Sequence, residues 1–228
     1  PDTPRTGEVA ALMQDALDFA NALQLERFAV VGHDWGARTA YALAALEPER
    51  VNACVALAQP WEPGVPGTPA LRQAQAFWYQ WYLCTERGAE TLRRNGKAFA
   101  RFQWQVWSPP GWFDDGVFDQ VASSFENPDW VAVTLHAHRV RWGEAEPDPA
   151  YGELARRVRD ARTIGVPTLM LQGGSDRVVL PHTSEAKQVH FGGPYQRHVL
   201  ESVGHFPTRE APHLTNGVVV SFLGPQLR

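Results

Sequence analysis

The chain has 228 residues, enough for one well-buried core with a modest insertion. Its 44% hydrophobic and 20% charged residues belong to a globular protein, not a disordered one. A formal net charge of −4 without any cluster of Lys or Arg argues against a nucleic-acid or membrane surface. No apolar run approaches the roughly 20 residues that a bilayer-spanning helix needs.

Pro1-Asp2-Thr3-Pro4 reads as a loop, with neither an initiator Met nor a signal-peptide pattern. A cytoplasmic location is the expectation. From Gly7 to Leu23 the apolar residues Val9, Leu12, Met13, Ala16, Leu17, Ala20 and Leu23 fall at helical spacing. Phe28 to Val31 is a short apolar run, expected as a buried strand, leading into Gly32-His33-Asp34-Trp35-Gly36. Ala37 to Leu46 is Ala/Leu-rich and helical, stopped by Pro48, and Val51 to Leu57 is a second buried strand. Strand, helix and strand without polar alternation mark a parallel sheet covered on both faces.

A loop from Pro60 to Pro69 leaves that sheet. Leu71 to Trp142 is helical and rich in Trp, broken at Ser108-Pro109-Pro110-Gly111 and at Asn127-Pro128. Eight of the nine Trp lie between Trp61 and Trp142, so this stretch serves a different purpose from its flanks. After a boundary at Glu144 to Pro149 the strand–helix rhythm returns. Val166 to Leu171 and Gln196 to Leu200 read as strands, and Ser184 to Val189 and Ala211 to Leu223 as helices. The expected organisation is a core from residues 1–60 and 151–228, interrupted by a helical cap over 61–150. Two cysteines, Cys54 and Cys84, are too few for a disulfide framework and are expected as small buried hydrophobes.

Gly32-His33-Asp34-Trp35-Gly36 occupies the strand-to-helix junction where a Gly-x-Ser-x-Gly elbow holds a reactive side chain on a strained turn. A Cβ at either glycine is expected to crowd the neighbouring strand and helix. The central residue here is Asp34, and a carboxylate can attack an electrophilic carbon to form an ester. The competing reading is an aspartate that caps the helix. Asp176 follows a strand and can orient a histidine, or simply occupy a turn. His205 lies between the last strand and the last helix. The order Asp34, Asp176, His205 is that of nucleophile, acid and histidine on such a fold.

Val31-Gly-His-Asp-Trp-Gly-Ala37, Gln172-Gly-Gly-Ser-Asp-Arg-Val178 and Gly204-His-Phe206 together resemble the epoxide hydrolase and haloalkane dehalogenase branch of the α/β-hydrolases. The resemblance covers nearly the whole chain. It implies an α/β-hydrolase fold, a mostly parallel sheet with a helical cap, and hydrolysis through an ester on Asp34. Phe77-Trp-Tyr-Gln-Trp-Tyr-Leu83 resembles the first cap helix of soluble epoxide hydrolases, which puts Tyr79 in the place of a ring-opening tyrosine, with Tyr82 as a rival donor and Trp78 in the substrate site. Where a second cap tyrosine is expected, this chain has His138. The N–H of Trp35 is the implied oxyanion donor.

The alternative is a haloalkane or haloacid dehalogenase, with the Trp35 indole and one of Trp78, Trp81 or Trp104 holding the halide. A non-catalytic binder on the same fold is a third possibility. The resemblance implies no metal and no organic cofactor. It implies a small apolar or aromatic substrate, and a monomer or homodimer. The family's second oxyanion donor lies on a loop that would precede Gly32. The usual domain size therefore leads to the expectation that roughly 70 further residues, carrying N-terminal strands of the sheet, belong ahead of this chain.

Overall fold

A computed structural model of the chain describes residues 5–227. The expected loop at Pro1–Pro4 lies outside the described residues. Four parallel strands, β1 (Phe28–His33), β2 (Val51–Leu57), β3 (Thr168–Gly173) and β4 (Tyr195–Leu200), lie in the order β1-β2-β3-β4. β2 and β3 are buried along nearly their whole length, as strands covered on both faces must be. β1 departs from its expected burial: Val31 is 49% exposed, because β1 pairs only with β2 and stands at the edge of the described sheet. Cys54, at the centre of β2, is fully buried as expected, whereas Cys84 is only partly so.

Helices α1 (Val9–Ala22) and α2 (Trp35–Leu46) pack on one face. There Met13, Leu17, Ala40, Tyr41 and Leu43 meet Cys54 and Ala56 of β2. Between β2 and β3 the chain leaves the sheet and forms α3 (Leu71–Ala76), α4 (Trp78–Cys84), α5 (Glu86–Trp107), α6 (Asp115–Ala122) and α7 (Trp130–Trp142). Breaks follow the expected proline segments, since α5 stops at Trp107 and α7 begins after Pro128. A left-handed Gly143 ends α7, with φ of 75°. Asn95 interrupts α5 with non-helical backbone angles, so α5 is two helical pieces across a kink.

The chain returns through α8 (Gly152–Asp160), β3, β4, α9 (Pro207–Glu210) and α10 (Pro212–Leu223). Val218, Val219 and Phe222 of α10 cover the other face of the sheet against Val55, Leu169 and Leu171. In place of the helix expected at Ser184 to Val189 there are two 3₁₀ turns, Pro181–Ser184 and Lys187–His190. Ala186 between them adopts φ of 53°, which a continuous helix cannot contain. Among the described residues no helix is long and apolar enough to cross a membrane.

Candidate active site

The carboxyl ends of β1, β3 and β4 carry the three residues singled out by the motifs. Asp34 follows β1 directly, with φ of 51° and ψ of −111°, a conformation that costs a non-glycine residue about 1–3 kcal/mol. It is held there from both sides. Its N–H donates to the Leu57 carbonyl at 3.1 Å, while its own carbonyl accepts from Ala37 and Arg38 at 3.0 and 3.1 Å. The carboxylate makes no helix-capping bond, so capping is not its role here. The two glycines of the elbow are not equivalent. A Cβ on Gly32 would overlap the Gly36 carbonyl, whereas a Cβ on Gly36 would meet nothing within 4 Å. The crowding expected at both positions therefore exists only at Gly32.

Asp34 Oδ2 stands 3.5 Å from His205 Nε2, and His205 Nδ1–H donates to Asp176 Oδ2 at 2.9 Å. Asp176 and His205 are 3% and 1% exposed. The other oxygen of Asp176 accepts the N–H groups of Val178 and Val179, both at 2.9 Å, which fixes the carboxylate plane. Burial alone would lower the His205 pKa, but the neighbouring Asp176 and Asp34 overcome it and push it up to about 10. Burial likewise opposes the charge on Asp34, yet His205 beside it holds its carboxyl well below the usual carboxylate range. The pair thus rests as carboxylate and imidazolium. His33, whose pKa burial and the nearby His205 lower, donates from Nε2 to the His205 carbonyl at 2.6 Å.

Above Asp34 lies a cleft of about 300 Å³, lined by α4, α5 and α7 and on one side by Gly7 and Leu12. Its wall is mostly apolar, with Leu83, Leu92, Phe99 and Trp130, and a few polar groups converge on it. Asp34, Trp35, Tyr79 and His138 all line it. The Tyr79 oxygen accepts from Gln80 Nε2 at 2.9 Å, and Gln80 Oε1 in turn accepts from the Trp142 indole at 2.9 Å. The phenol keeps its own proton for a ligand. Burial, reinforced by Asp34, raises the Tyr79 pKa, so the group is a neutral acid. His138 packs edge-on against Trp35 and Tyr79, with ring centroids 5.5 and 5.6 Å away. Its Nδ1–H donates to the Thr134 carbonyl at 2.8 Å, and burial lowers its pKa. The neutral ring therefore offers Nε2 as an acceptor.

Other expected residues lie elsewhere. Tyr82 is bonded through its hydroxyl to Thr91 Oγ1 at 2.6 Å and does not reach the cavity. Trp78 is 40% exposed and packs on Tyr82, Phe99 and Phe102. The Trp81 indole donates to Ala74, and Trp104 sits in an aromatic cluster with Trp112, Phe113 and Phe206. In their stead Gln103 and Trp107 of α5 face the cavity, and Trp107 lies edge-on to His205 at 5.2 Å. Neither carries a motif, and with Phe102 exposed and Phe99 and Trp104 buried, the aromatics of α5 alone do not reveal which of them line a cavity. The Trp35 N–H, at the first turn of α2, has no acceptor among the described residues, as is usual for a helix start.

A strained aspartate elbow, a buried acid–histidine pair and a parallel sheet define an α/β-hydrolase arrangement. Residues 2–212 match the family model described as the alpha/beta hydrolase fold. Epoxide hydrolase A of Mycobacterium tuberculosis is 27% identical over 255 aligned residues, which span 100% of this chain and 79% of that protein. A crystal structure from Klebsiella pneumoniae, of a protein provisionally assigned as an epoxide hydrolase, superposes with a TM-score of 0.90 at 32% identity, covering 96% of this chain and 74% of that one. The epoxide hydrolase of Bacillus megaterium in complex with an inhibitor shares the fold, with a TM-score of 0.75 at 18% identity over 98% of this chain and 78% of that one. The chain belongs to the α/β-hydrolase family, within its epoxide hydrolase branch, and is an enzyme of that type.

Proposed function

We propose that the chain hydrolyses epoxides by way of a covalent ester on Asp34. The observation that carries this reading is the continuous chain from cavity to buried acid: Asp34 at the cavity floor, His205 at 3.5 Å behind it, and Asp176 at 2.9 Å behind that. An Asp34 oxygen attacks an epoxide carbon and the C–O bond of the ring breaks. The departing oxygen takes its proton from Tyr79, which Gln80 steadies as negative charge develops on the phenol. The product of this step is a hydroxyalkyl ester.

The ester no longer carries the Asp34 charge. His205 thereby loses one of the two anions that raise its pKa and gives up its proton, which restores the Tyr79 phenol and leaves the neutral imidazole needed of a base. It then accepts a proton from water, whose oxygen adds to the ester carbonyl. The Trp35 N–H, which has no acceptor among the described residues, receives the resulting oxyanion in this reading. Collapse breaks the bond to the alkyl oxygen, His205 returns its proton to that oxygen and a diol leaves. The carboxylic acid left on Asp34 then passes its proton to His205, restoring the resting pair. The apolar wall favours an apolar or aryl substrate, and the similarity to Epoxide hydrolase A of M. tuberculosis supports the epoxide as leaving group.

A halide leaving group is the second reading. One observation favours it: Trp35 and Trp107 both line the cavity, and among the described residues none accepts the Trp107 indole N–H. Intact-protein mass spectrometry of His205→Gln separates the readings, since that change stalls ester hydrolysis. A gain equal to a whole epoxide is the expected result. A gain of the alkyl group without halogen, from a haloalkane, would move the assignment to dehalogenation. No adduct from a broad panel of both would overturn the ester on Asp34.

A further inference from the structure

The backbone around His205 is held by two side chains that the reaction above does not use. Three consecutive N–H groups, of Gly204, His205 and Phe206, find their acceptors in one small cluster. Glu210 Oε2 accepts from Gly204 at 2.6 Å and Glu210 Oε1 accepts from Phe206 at 2.8 Å. Ser108 Oγ accepts from His205 at 2.9 Å and donates its own proton to Glu210 Oε1 at 2.6 Å. Glu210 closes α9, and Ser108, fully buried, caps the end of α5. Gly204 permits this approach, because a Cβ there would overlap Ser108. One residue earlier, the Trp107 carbonyl accepts from Arg177 N–H at 3.0 Å, immediately beside Asp176. The end of α5 therefore grips the acid loop and the histidine loop together, while Gln103 and Trp107 of the same helix form part of the cavity wall.

We infer that Ser108 and Glu210 are positioning residues that set the placement of His205 against Asp34 and Asp176. The inference rests on the ester mechanism proposed above. The His205 backbone is held from its other side as well, its carbonyl accepting from His33 Nε2 at 2.6 Å, so the ring is placed from a fixed base. Losing one acceptor leaves a buried N–H to find another, and the loop must shift for it to do so. A displacement of about 1 Å in a reacting group can cost about a hundredfold in rate. His205 acts in ester hydrolysis and not in ester formation, so the two half-reactions should respond unequally.

Two variants test this, Ser108→Ala and the isosteric Glu210→Gln, which places an amide NH₂ against a backbone donor. In the free protein, proton NMR reads the low-field resonance of the His205 Nδ1 proton. Its exchange with water is expected to speed up about tenfold or more in each variant. With styrene oxide as the probe, rapid-quench mass spectrometry should show ester decay slowed about tenfold and ester formation within about twofold of the parent. If Glu210→Gln does not fold, Ser108→Ala gives both readings. Unchanged proton exchange and ester decay would overturn the inference, and so would equal slowing of formation and decay. Failure of the ester reading is separately visible: no adduct would then form even in His205→Gln, while the resonance, which needs no substrate, still decides the positioning role.

Discussion

At the scale of single residues, Gln80 decides what Tyr79 can do. The Trp142 indole occupies Gln80 Oε1, so the amide must present Nε2–H to the phenol oxygen. Replacing Gln80 with Leu should slow ester formation by about tenfold while leaving ester decay unchanged, as rapid-quench measurement would show. His205 makes a second prediction. The folded chain holds its proton up to about pH 10, whereas an unfolded histidine titrates near 6.5. That stabilisation is complete below about pH 6.5 and is lost as the pH rises through about 10. The melting temperature of the parent should fall across this window, and that of His205→Gln should fall less; parallel slopes would contradict the assignment. Asp34, Asp176 and His205 were legible in the sequence because each sits in a short loop after a strand, where local residues dictate the backbone. Gln80 and Trp107 were not, since their roles depend on how α4, α5 and α7 pack. Tyr79 and Tyr82 illustrate the limit: they are three residues apart, yet one faces Asp34 and the other Thr91.

At the scale of elements, the elbow is an interlock of β1 and α2 in which one glycine is indispensable. Gly32→Ala should cost about 3 kcal/mol or more, because backbone of α2 stands where the methyl must go. Gly36→Ala should instead gain about 0.5–1 kcal/mol, since the position is helical and open. Urea denaturation of both variants checks the contrast, and equal losses would refute it. β2 and α10 matched their sequence signals because each buries a continuous apolar surface. α8 gave no such signal. Only Leu154 and Val158 pack inward from it, and its exposed side is laced by Arg156 with Glu153 and Asp160. The 3₁₀ turns at 181–190 were misread as a helix because a left-handed alanine leaves no trace in hydrophobic spacing.

At the scale of the whole molecule, the inserted helices are tied to the sheet by charge as well as by apolar contact. Glu62, just after β2, lies 3.2 Å from Arg141 of α7 and 3.7 Å from Arg38 of α2. Burial, and then Arg38, push the Arg141 pKa down to about 10, against the pull of Glu62. Two guanidinium groups thus share one carboxylate. Glu62→Gln leaves them facing each other, and should cost about 2 kcal/mol while making α7 more open to hydrogen exchange than β2. Exchange unchanged in α7 would show that apolar packing alone holds it. The overall plan, a parallel sheet interrupted by helices, was readable because proline-rich segments punctuate both junctions. The exposed face of Val31 did not follow from the apolar run Phe28 to Val31 itself, which reads as buried, but it fits the expectation that one side of the sheet lacks strands.

That interruption also bears on how the chain reaches its native state. β2 and β3 are neighbours in the sheet, yet everything from residue 58 to residue 167 lies between them. Closing so long a loop adds little to the equilibrium cost, about 0.6 kcal/mol per doubling of length. Its burden falls on time, because a distant pairing must be found before it is rewarded. β1 with β2, and β3 with β4, can each assemble from nearby sequence, and the seam between β2 and β3 is where refolding should wait.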